Sequence, residues 1–489
     1  MITGRNRDVV GILLVLLLSW PVSGFAQSID DAIRISRQGI NFNGRALGMG
    51  DAYSTIGYDF SALRMNPATM GLSERATYTM SVNSNSFHNS MSFFGSTTEF
   101  TSSNTTLNQA GFTFPVRLDS TRKAVFGFGY TQSKDFNAGG KYNAYNAGGA
   151  SFTQLLAANP NDVAHTLGLT YPTYDAAGRY IGDATVLNGK FQERGYVLDG
   201  GNLVHLSGGV ALQAAPGVFF GVSGSYNIGT FDTDREYTAE DIAGVYPDSL
   251  RTQPNDPRTA GFIDVTYRDI RASEYRGGDV RFGVIYRFEN FIGISASFKI
   301  PIVHSVTGTK YLSGTSRFAT GTVIEVNPVA TPLSYKITPP YETTVGAMVN
   351  LWFLTGTAEA TYVDYTQMKY SGGDDFTAQS DINKRIKDEF TRVLNLNIGA
   401  EFRLPFTGLS ARAGAMYRPS PYKGDATRYD QKFLTIGLGI NSSEILQFDL
   451  GYMYGWRGQR PDEIQTPSNS SVAQTIIYQN AIISMKFVL

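Results

Sequence analysis

The chain has 489 residues and no cysteine, and 41 Lys+Arg against 42 Asp+Glu leave a net charge of −1. The missing cysteine excludes a disulfide scaffold, thiolate chemistry and cysteine-held metals, and the near-neutral charge gives no footing for a nucleic-acid partner. With 52 glycines, 28 tyrosines, 31 phenylalanines and 17% charged residues, the composition suits a β protein with one apolar and one wet face.

At the N-terminus, Arg5 and Arg7 precede the apolar run VVGILLVLLLSWPV (9–22), and Gly24 and Ala26 supply a small-residue cleavage pattern. Residues 1–26 read as a signal peptide, too short to span a bilayer, so the mature chain starts near Gln27. SIDDAIRIS (28–36) predicts a short helix with Ser28 as its cap and Asp30 and Asp31 in the first turn. NGRALGMGDAYSTIGYDFSALRMNPATMGL (43–72) is Gly-rich and does not alternate. It carries too much Met, Leu, Phe and Tyr to stay in water. In it, Pro67 disfavours helical geometry at Asn66 and itself suits the first position of a helical turn that Asn66 caps. Gly71 is expected as the left-handed residue ending that turn. GRALGMG lacks the preceding strand and the glycine spacing of a dinucleotide loop. Residues 27–75 are therefore expected to form a plug inside whatever follows.

From residue 76 to 489 the signal is strict alternation. In LNIGAEFRL (396–404), Leu396, Ile398, Ala400, Phe402 and Leu404 share one face; in QFDLGYMYGW (447–456), Phe448, Leu450, Tyr452, Tyr454 and Trp456 do the same. Fourteen strands are predicted. Their links alternate between short (118–122, 215–216, 289–290, 353–354, 405–407, 442–444) and long (88–106, 134–201, 232–273, 304–340, 369–390, 419–431, 457–475). A sandwich has no reason to sort its loops by parity. A membrane barrel does, and an even strand number returns both termini to the short-turn side. The expected fold is all-β: a fourteen-stranded antiparallel transmembrane barrel (76–489) with an N-terminal luminal hatch (27–75). Asp279, Arg281, Arg287, Lys299, Glu359, Glu401, Arg403, Arg412, Arg418 and Asp449 fall on the inward rows. Facing lipid at the midplane, such charges would cost about 2–4 kcal/mol each.

GRALGMGDAYSTIGYDFSALRMNPATMGL resembles the hatch of the FadL/TodX-type outer-membrane transporters, which reads G-x-G-x-A, a polar stretch, then N-P-A. TLNQAGFTFPVRLDSTRKAVFGFGY (106–130), ARAGAMYRPSPY (411–422) and FDLGYMYGWRG (448–458) resemble wall strands of the same family. The resemblance implies a monomeric barrel in the outer membrane of a Gram-negative bacterium. It implies passive transport of long-chain fatty acids or aromatic hydrocarbons, captured at the outer loops and released through a lateral opening at a kink in the third strand. It places Asp59, Asn66, Pro67 and Ala68 in the hatch motif. The implied partners are a hydrophobic small-molecule ligand, outer-membrane lipid and, during biogenesis, the barrel-assembly machinery, which reads the last strand; here Phe487 is third from the end. No cofactor is implied. The loops at 134–201 and 232–273 depart from the family pattern, and a second reading is a secretion-system component of the same barrel family that binds exported proteins.

Three sets of candidate site residues follow. Gly127 and Gly129, opposite Phe126 and Phe128 in VFGFGY (125–130), would mark either the kink that opens the wall or room for the hatch. Arg281, Arg412 and Arg418 could seat a carboxylate, or pair with Glu401 and Asp449. HLSGG (205–209) resembles the H-x-S-N-G stretch of an outer-membrane phospholipase only loosely: its Asn is missing, and His205 and Ser207 are expected to face the lumen. With no G-x-S-x-G elbow, an enzyme is not expected. No metal-ligand set is recognised, and the acidic pair Asp374 and Asp375 leaves calcium binding in the loops open.

Overall fold

The computed structural model describes residues 29–489 apart from 40–42, 121, 149–150, 158–162, 373–375, 442–444 and 461–471. The expected leader (1–26), the Ser28 cap, Asp374, Asp375 and the 442–444 turn lie outside the described residues.

The wall consists of β1 (Thr77–Phe93), β2 (Ser96–Arg117), β3 (Lys123–Asp135), β4 (Phe191–Ala215), β5 (Val218–Glu240), β6 (Phe262–Phe288) and β7 (Ile292–Phe318). It continues with β8 (Glu342–Leu351), β9 (Leu354–Asp364), β10 (Arg392–Arg403), β11 (Leu409–Arg418), β12 (Gln431–Asn441), β13 (Leu446–Gln459) and β14 (Val472–Val488). Each strand pairs antiparallel with the next, and β14 pairs back onto β1 from Thr77↔Val488 to Phe93↔Val472, closing a fourteen-stranded barrel. Closure removes the free edges that an open sheet would expose in lipid. No helix among the described residues is long and apolar enough to cross a membrane.

The alternation sets the faces. Leu394, Leu396, Ile398 and Phe402 of β10 and Leu434, Ile436, Leu438 and Ile440 of β12 are exposed on the outside, while Asn395, Asn397, Glu401 and Thr435 are buried within. Arg403 departs from its expected place: it is exposed at the short-turn rim and bonds Asn350. The loop parity is present, but the long links are less loop-like than expected. The 88–106 link is two continuing strands joined by a tight turn at Phe94 (φ 45°) and Gly95 (φ 80°), and 304–340 is a hairpin of β7 with Val323–Thr338. Beyond the lipid the outward row turns polar, as at Thr97, Glu99, Thr101 and Ser103. An apolar/polar rhythm therefore stops while the ladder continues. Two further strands, Ala138–Asn146 and Lys369–Ser371, join the outer end of the wall.

That outer end is a cap with its own core, in which Phe191, Tyr246, Phe262 and Phe318 are buried. Glu193 of β4 lies in this cap, above the lipid-facing stretch. It accepts a 2.8 Å hydrogen bond from Asn146 Nδ2, and burial pushes its carboxyl up to about 7. The folded cap thus holds this proton more tightly than a free carboxyl does, at a reference value of 4.5. Stability from this group is full below that reference value and is lost as pH rises toward the folded one, by up to about 3 kcal/mol. Limited proteolysis of the cap is expected to accelerate between pH 5 and pH 8, and Glu193→Gln, which keeps an acceptor without a charge, is expected to flatten the profile.

Candidate functional site

Helix α1 (Ile29–Ser36) stands in the outer lumen, where Ile29, Ile33 and Ile35 pack with Leu203, Phe231 and Tyr275. Its Asp31 is more than a first-turn anion. It is fully buried, 2.7 Å from the Arg271 guanidinium and bonded to Arg34 and Tyr335. At the other end, Lys134 Nζ donates 2.7 Å hydrogen bonds to the Arg34 and Ile35 carbonyls, which suits a cation at a helix C-terminus.

Residues 43–73 fill the lumen farther in. Asn43 caps Gly44–Gly48 by accepting from the Ala46 N–H at 2.7 Å. Asp59 holds that cap residue, accepting from Asn43 Nδ2 at 2.9 Å and from the Ser61 N–H at 2.9 Å. Asn66 works in two directions. Its Oδ1 accepts from the Ala68 N–H at 3.1 Å, capping the Pro67–Leu72 turn, while its Nδ2 donates to the Val284 carbonyl of the wall at 3.1 Å. The wall meets it with glycine: a Cβ on Gly283 would lie 2.0 Å from Asn66 Oδ1, and one on Gly221 2.3 Å from the Ala68 nitrogen. Gly71 is not the left-handed terminator expected of it. It sits inside the turn, which ends at Ser73, and its value is close approach, since a Cβ there would lie 2.5 Å from the Phe219 ring.

The three candidate arginines are brought to this segment and not to one another. Arg412 Nε donates to Glu401 at 2.7 Å and its Nη1 lies 2.7 Å from Asp449. Arg45 adds two bonds to the same Glu401, at 2.8 and 2.9 Å. Arg418 lies 3.5 Å from Asp51 and donates to the Gln38 carbonyl at 3.0 Å. Arg281 reaches Glu342 and the Met65 carbonyl, both at 3.4 Å. Each cation is already matched to a group that joins the wall to the N-terminal segment.

The wall itself is interrupted between β2 and β3. Their ladder runs from Arg117↔Lys123 to Gln109↔Thr131 and goes no farther. On its other side β3 continues to Asp135↔Asn202, with a bulge at Ser133 between Gln132↔Val204 and Lys134↔Leu203. The chain then turns inward: the Phe136 ring meets Phe231 at 5.7 Å and Tyr275 at 6.3 Å, edge-on. Ala138–Asn146 then resumes on the outer part of β4. Among the described residues no backbone ladder joins Ser96–Asn108 to β3. Asp135 bridges the gap, accepting from Asn85 at 3.0 Å and Asn104 at 3.4 Å. Inside the gap lies a cavity of about 320 Å³ whose lining includes Ile33, Phe87, Phe136, Met453 and Tyr478.

Gly127 and Gly129 lie below this interruption, in continuous ladder opposite Thr113 and Gly111. A Cβ at Gly127 would lie 2.5 Å from Met70 Sδ, and at Gly129 2.6 Å from the Phe60 ring. Of the two sequence readings, room for the N-terminal segment is what these positions provide. Phe126 and Phe128 are 40% and 53% exposed on the lipid side. Of the residues at the interruption, Lys134 to Asn137 were missed because 134–201 reads as loop, and Ser133 was read as the end of a regular strand. Their signal is the Asp-Phe-Asn triplet, in which Asp135 Oδ1 accepts from the Asn137 N–H at 2.9 Å in a side-chain turn.

His205 and Ser207 face the lumen and are buried. His205 Nε2 lies 2.7 Å from Ser133 Oγ, and Nδ1 lies 3.8 Å from Asp279. The order of groups is that of a hydrolytic triad, and Ser133 Oγ also lies 3.0 Å from the Leu203 carbonyl, a second acceptor for its one hydroxyl proton.

The fold is shared with solved transporter structures. The chain is similar to the toluene transporter TodX of P. putida (13% identity, 92% of this chain and 99% of that one, TM-score 0.52). It is also similar to a FadL homologue of Pseudomonas aeruginosa (10% identity, 92% and 98%, TM-score 0.53) and to the Ralstonia pickettii toluene transporter TbuX (14% identity, 92% and 98%, TM-score 0.50). At these identities the likeness is one of fold. No protein-family model and no curated protein matches the chain.

Proposed function

We propose that the chain is a passive outer-membrane transporter of hydrophobic small molecules, with residues 27–75 acting as a hatch. The observation that carries this reading is the interrupted β2–β3 ladder beside a cavity in which Ile33, Phe87, Phe136, Met453 and Tyr478 stand among polar and charged side chains. A solute captured at the outer end enters that cavity. Straight passage is opposed by the packed segment around Leu47, Tyr53, Phe60 and Met70, all at most 1% exposed. Sideways, the inner edge of the gap, beside the outward-facing Leu107, leads to lipid, where an apolar solute gains about 25 cal/mol per Å² of surface removed from water. Ser133 to Asn137 form the lateral opening in this mechanism, Asn66, Pro67 and Ala68 hold the hatch against the wall, and Asp59 braces the hatch from within through Asn43 and Ser61. Arg281, Arg412 and Arg418 then serve as ties between hatch and wall. Two fold neighbours named as toluene transporters support a neutral aromatic ligand, and a FadL homologue is compatible with a fatty acid.

Cells lacking their own transporter of this kind test the reading by uptake of labelled toluene and oleate. Expression of the chain is expected to raise the uptake of at least one. Ala138→Trp, which sets an indole at the cavity beside the gap, is expected to lower that uptake about tenfold while the barrel remains heat-modifiable on gels. No gain with either solute would overturn the proposal.

A further inference from the structure

Between the end of α1 and the Ala62–Met65 turn lies a second, smaller cavity of about 60 Å³. Its walls are strongly cationic. Arg64, Lys134, Arg281 and Lys299 line it against two carboxylates, Asp279 and Glu342, and Arg37 lines it as well. The pairing inside is uneven. Lys299 and Arg281 both use Glu342. Asp279 is taken by Asn227 at 3.2 Å and faces His205. Among the described residues Lys134 meets only the two carbonyls at the end of α1. The Arg64 guanidinium has no hydrogen-bond or ion-pair partner among the described residues. One buried donor is left unused as well: Arg281 Nε, on a residue 7% exposed.

Buried charge without a counter-charge is costly, and water in so small a space compensates only part of it. The volume holds about four waters, which is the scale of one tetrahedral oxyanion and far below that of a hydrocarbon chain. Forked guanidinium groups with an ammonium are the donor set that phosphate-type oxygens accept from in several directions at once. We propose that this cavity binds a compact oxyanion of the phosphate class, held by Arg64 from the N-terminal segment and by Lys134 and Arg281 from the wall. The anion would neutralise the excess charge and join segment to barrel. The cavity shares Arg37, Gln38, Gly39 and Lys134 with the larger one, so the oxyanion has two possible sources: the free ion, or the head group of a phosphate-bearing amphiphile with its chain in the larger space.

The test uses the full chain in detergent, exchanged into phosphate-free buffer, with radiolabelled phosphate in equilibrium dialysis. Saturable binding of one phosphate per chain, displaced by sulfate and not by equal chloride, is expected. Arg64→Gln and Lys134→Gln are each expected to weaken it about tenfold in protein that still shifts on heating in gels. Dodecyl phosphate displacing the label at far lower concentration than phosphate itself assigns the site to a head group; equal potency assigns it to the free ion. Absence of saturable binding of both probes to heat-modifiable protein, or undiminished binding in both variants, would mean that water alone fills the cavity and would overturn the site.

Discussion

Joining Asn104 to Asp135 across the interruption is expected to reduce uptake of hydrophobic solute to background while leaving the barrel intact. The chain has no cysteine, so the pair Asn104→Cys and Asp135→Cys brings the only two thiols. The native side chains approach to 3.4 Å, well within the span of a short bismaleimide. A linker there crosses the stretch where, among the described residues, the β2–β3 ladder is absent and the 320 Å³ cavity lies. Before cross-linking the paired variant should transport at least as well as the parent, because it loses the bonds Asp135 makes to Asn85 and Asn104. A control pair at Phe112 and Phe128, direct neighbours in the closed part of the ladder, should cross-link without effect on uptake. If the linked Asn104–Asp135 protein still carries solute at the parent's rate, the path does not run through this gap and the lateral mechanism fails.

How much of this was legible in the sequence depended on which physical signal each part left. The wall was legible because lipid imposes a two-residue rhythm on every spanning strand, and β10 keeps it from Leu394 to Phe402 and β12 from Leu434 to Ile440. The outer extensions of β1, β2 and β7 were not: once the outer face meets water, Ser, Thr and Asn serve there as well as within, and the rhythm fades although the ladder does not. The Asn66–Pro67 corner was legible as local geometry, since a cap and a fixed φ are properties of neighbours. That Asn66 also donates to Val284, 218 positions away, depends on register and left no local mark. The same holds for the arginines. Their inward facing follows from parity, but whether a partner is a ligand, a wall carboxylate or the N-terminal segment is decided by side chains hundreds of residues apart, as with Arg45 and Glu401. Gly127 and Gly129 show the converse. Glycine announces a close approach without saying what approaches, and here it is Met70 and Phe60.

The tie at Glu401 should decide whether the lumen is shut. Its carboxylate accepts from Arg45 at 2.8 and 2.9 Å and from Arg412 at 2.7 Å, with Glu401 itself 2% exposed. Glu401→Ala removes the shared anion. Arg412 keeps Asp449 at 2.7 Å, so the wall retains a paired cation, whereas Arg45 loses the carboxylate that both its bonds reach. Removing one partner of a buried pair costs roughly 3–5 kcal/mol, because the remaining charge stays out of water without compensation. That cost falls on the Gly44–Gly48 turn, which is also tied to the wall by the Gly44 N–H to Ser484 at 2.6 Å and by Thr435, whose hydroxyl lies 3.3 Å from the Gly48 carbonyl and 3.1 Å from the Gly50 N–H. The ladder of β10 with its neighbours is backbone-made and should hold, so heat-modifiability is expected to survive. The segment is expected to leave its seat often enough to admit ions: conductance steps should appear in planar bilayers where the parent is silent, and added protease should nick residues 43–73. The double variant Arg45→Met with Glu401→Leu removes both charges and fills the space with apolar atoms, and should restore most of the closure. A Glu401→Ala barrel that stays silent and protease-resistant would show that packing of Leu47, Tyr53 and Phe60 alone keeps the lumen closed, and that the ionic tie contributes nothing to it.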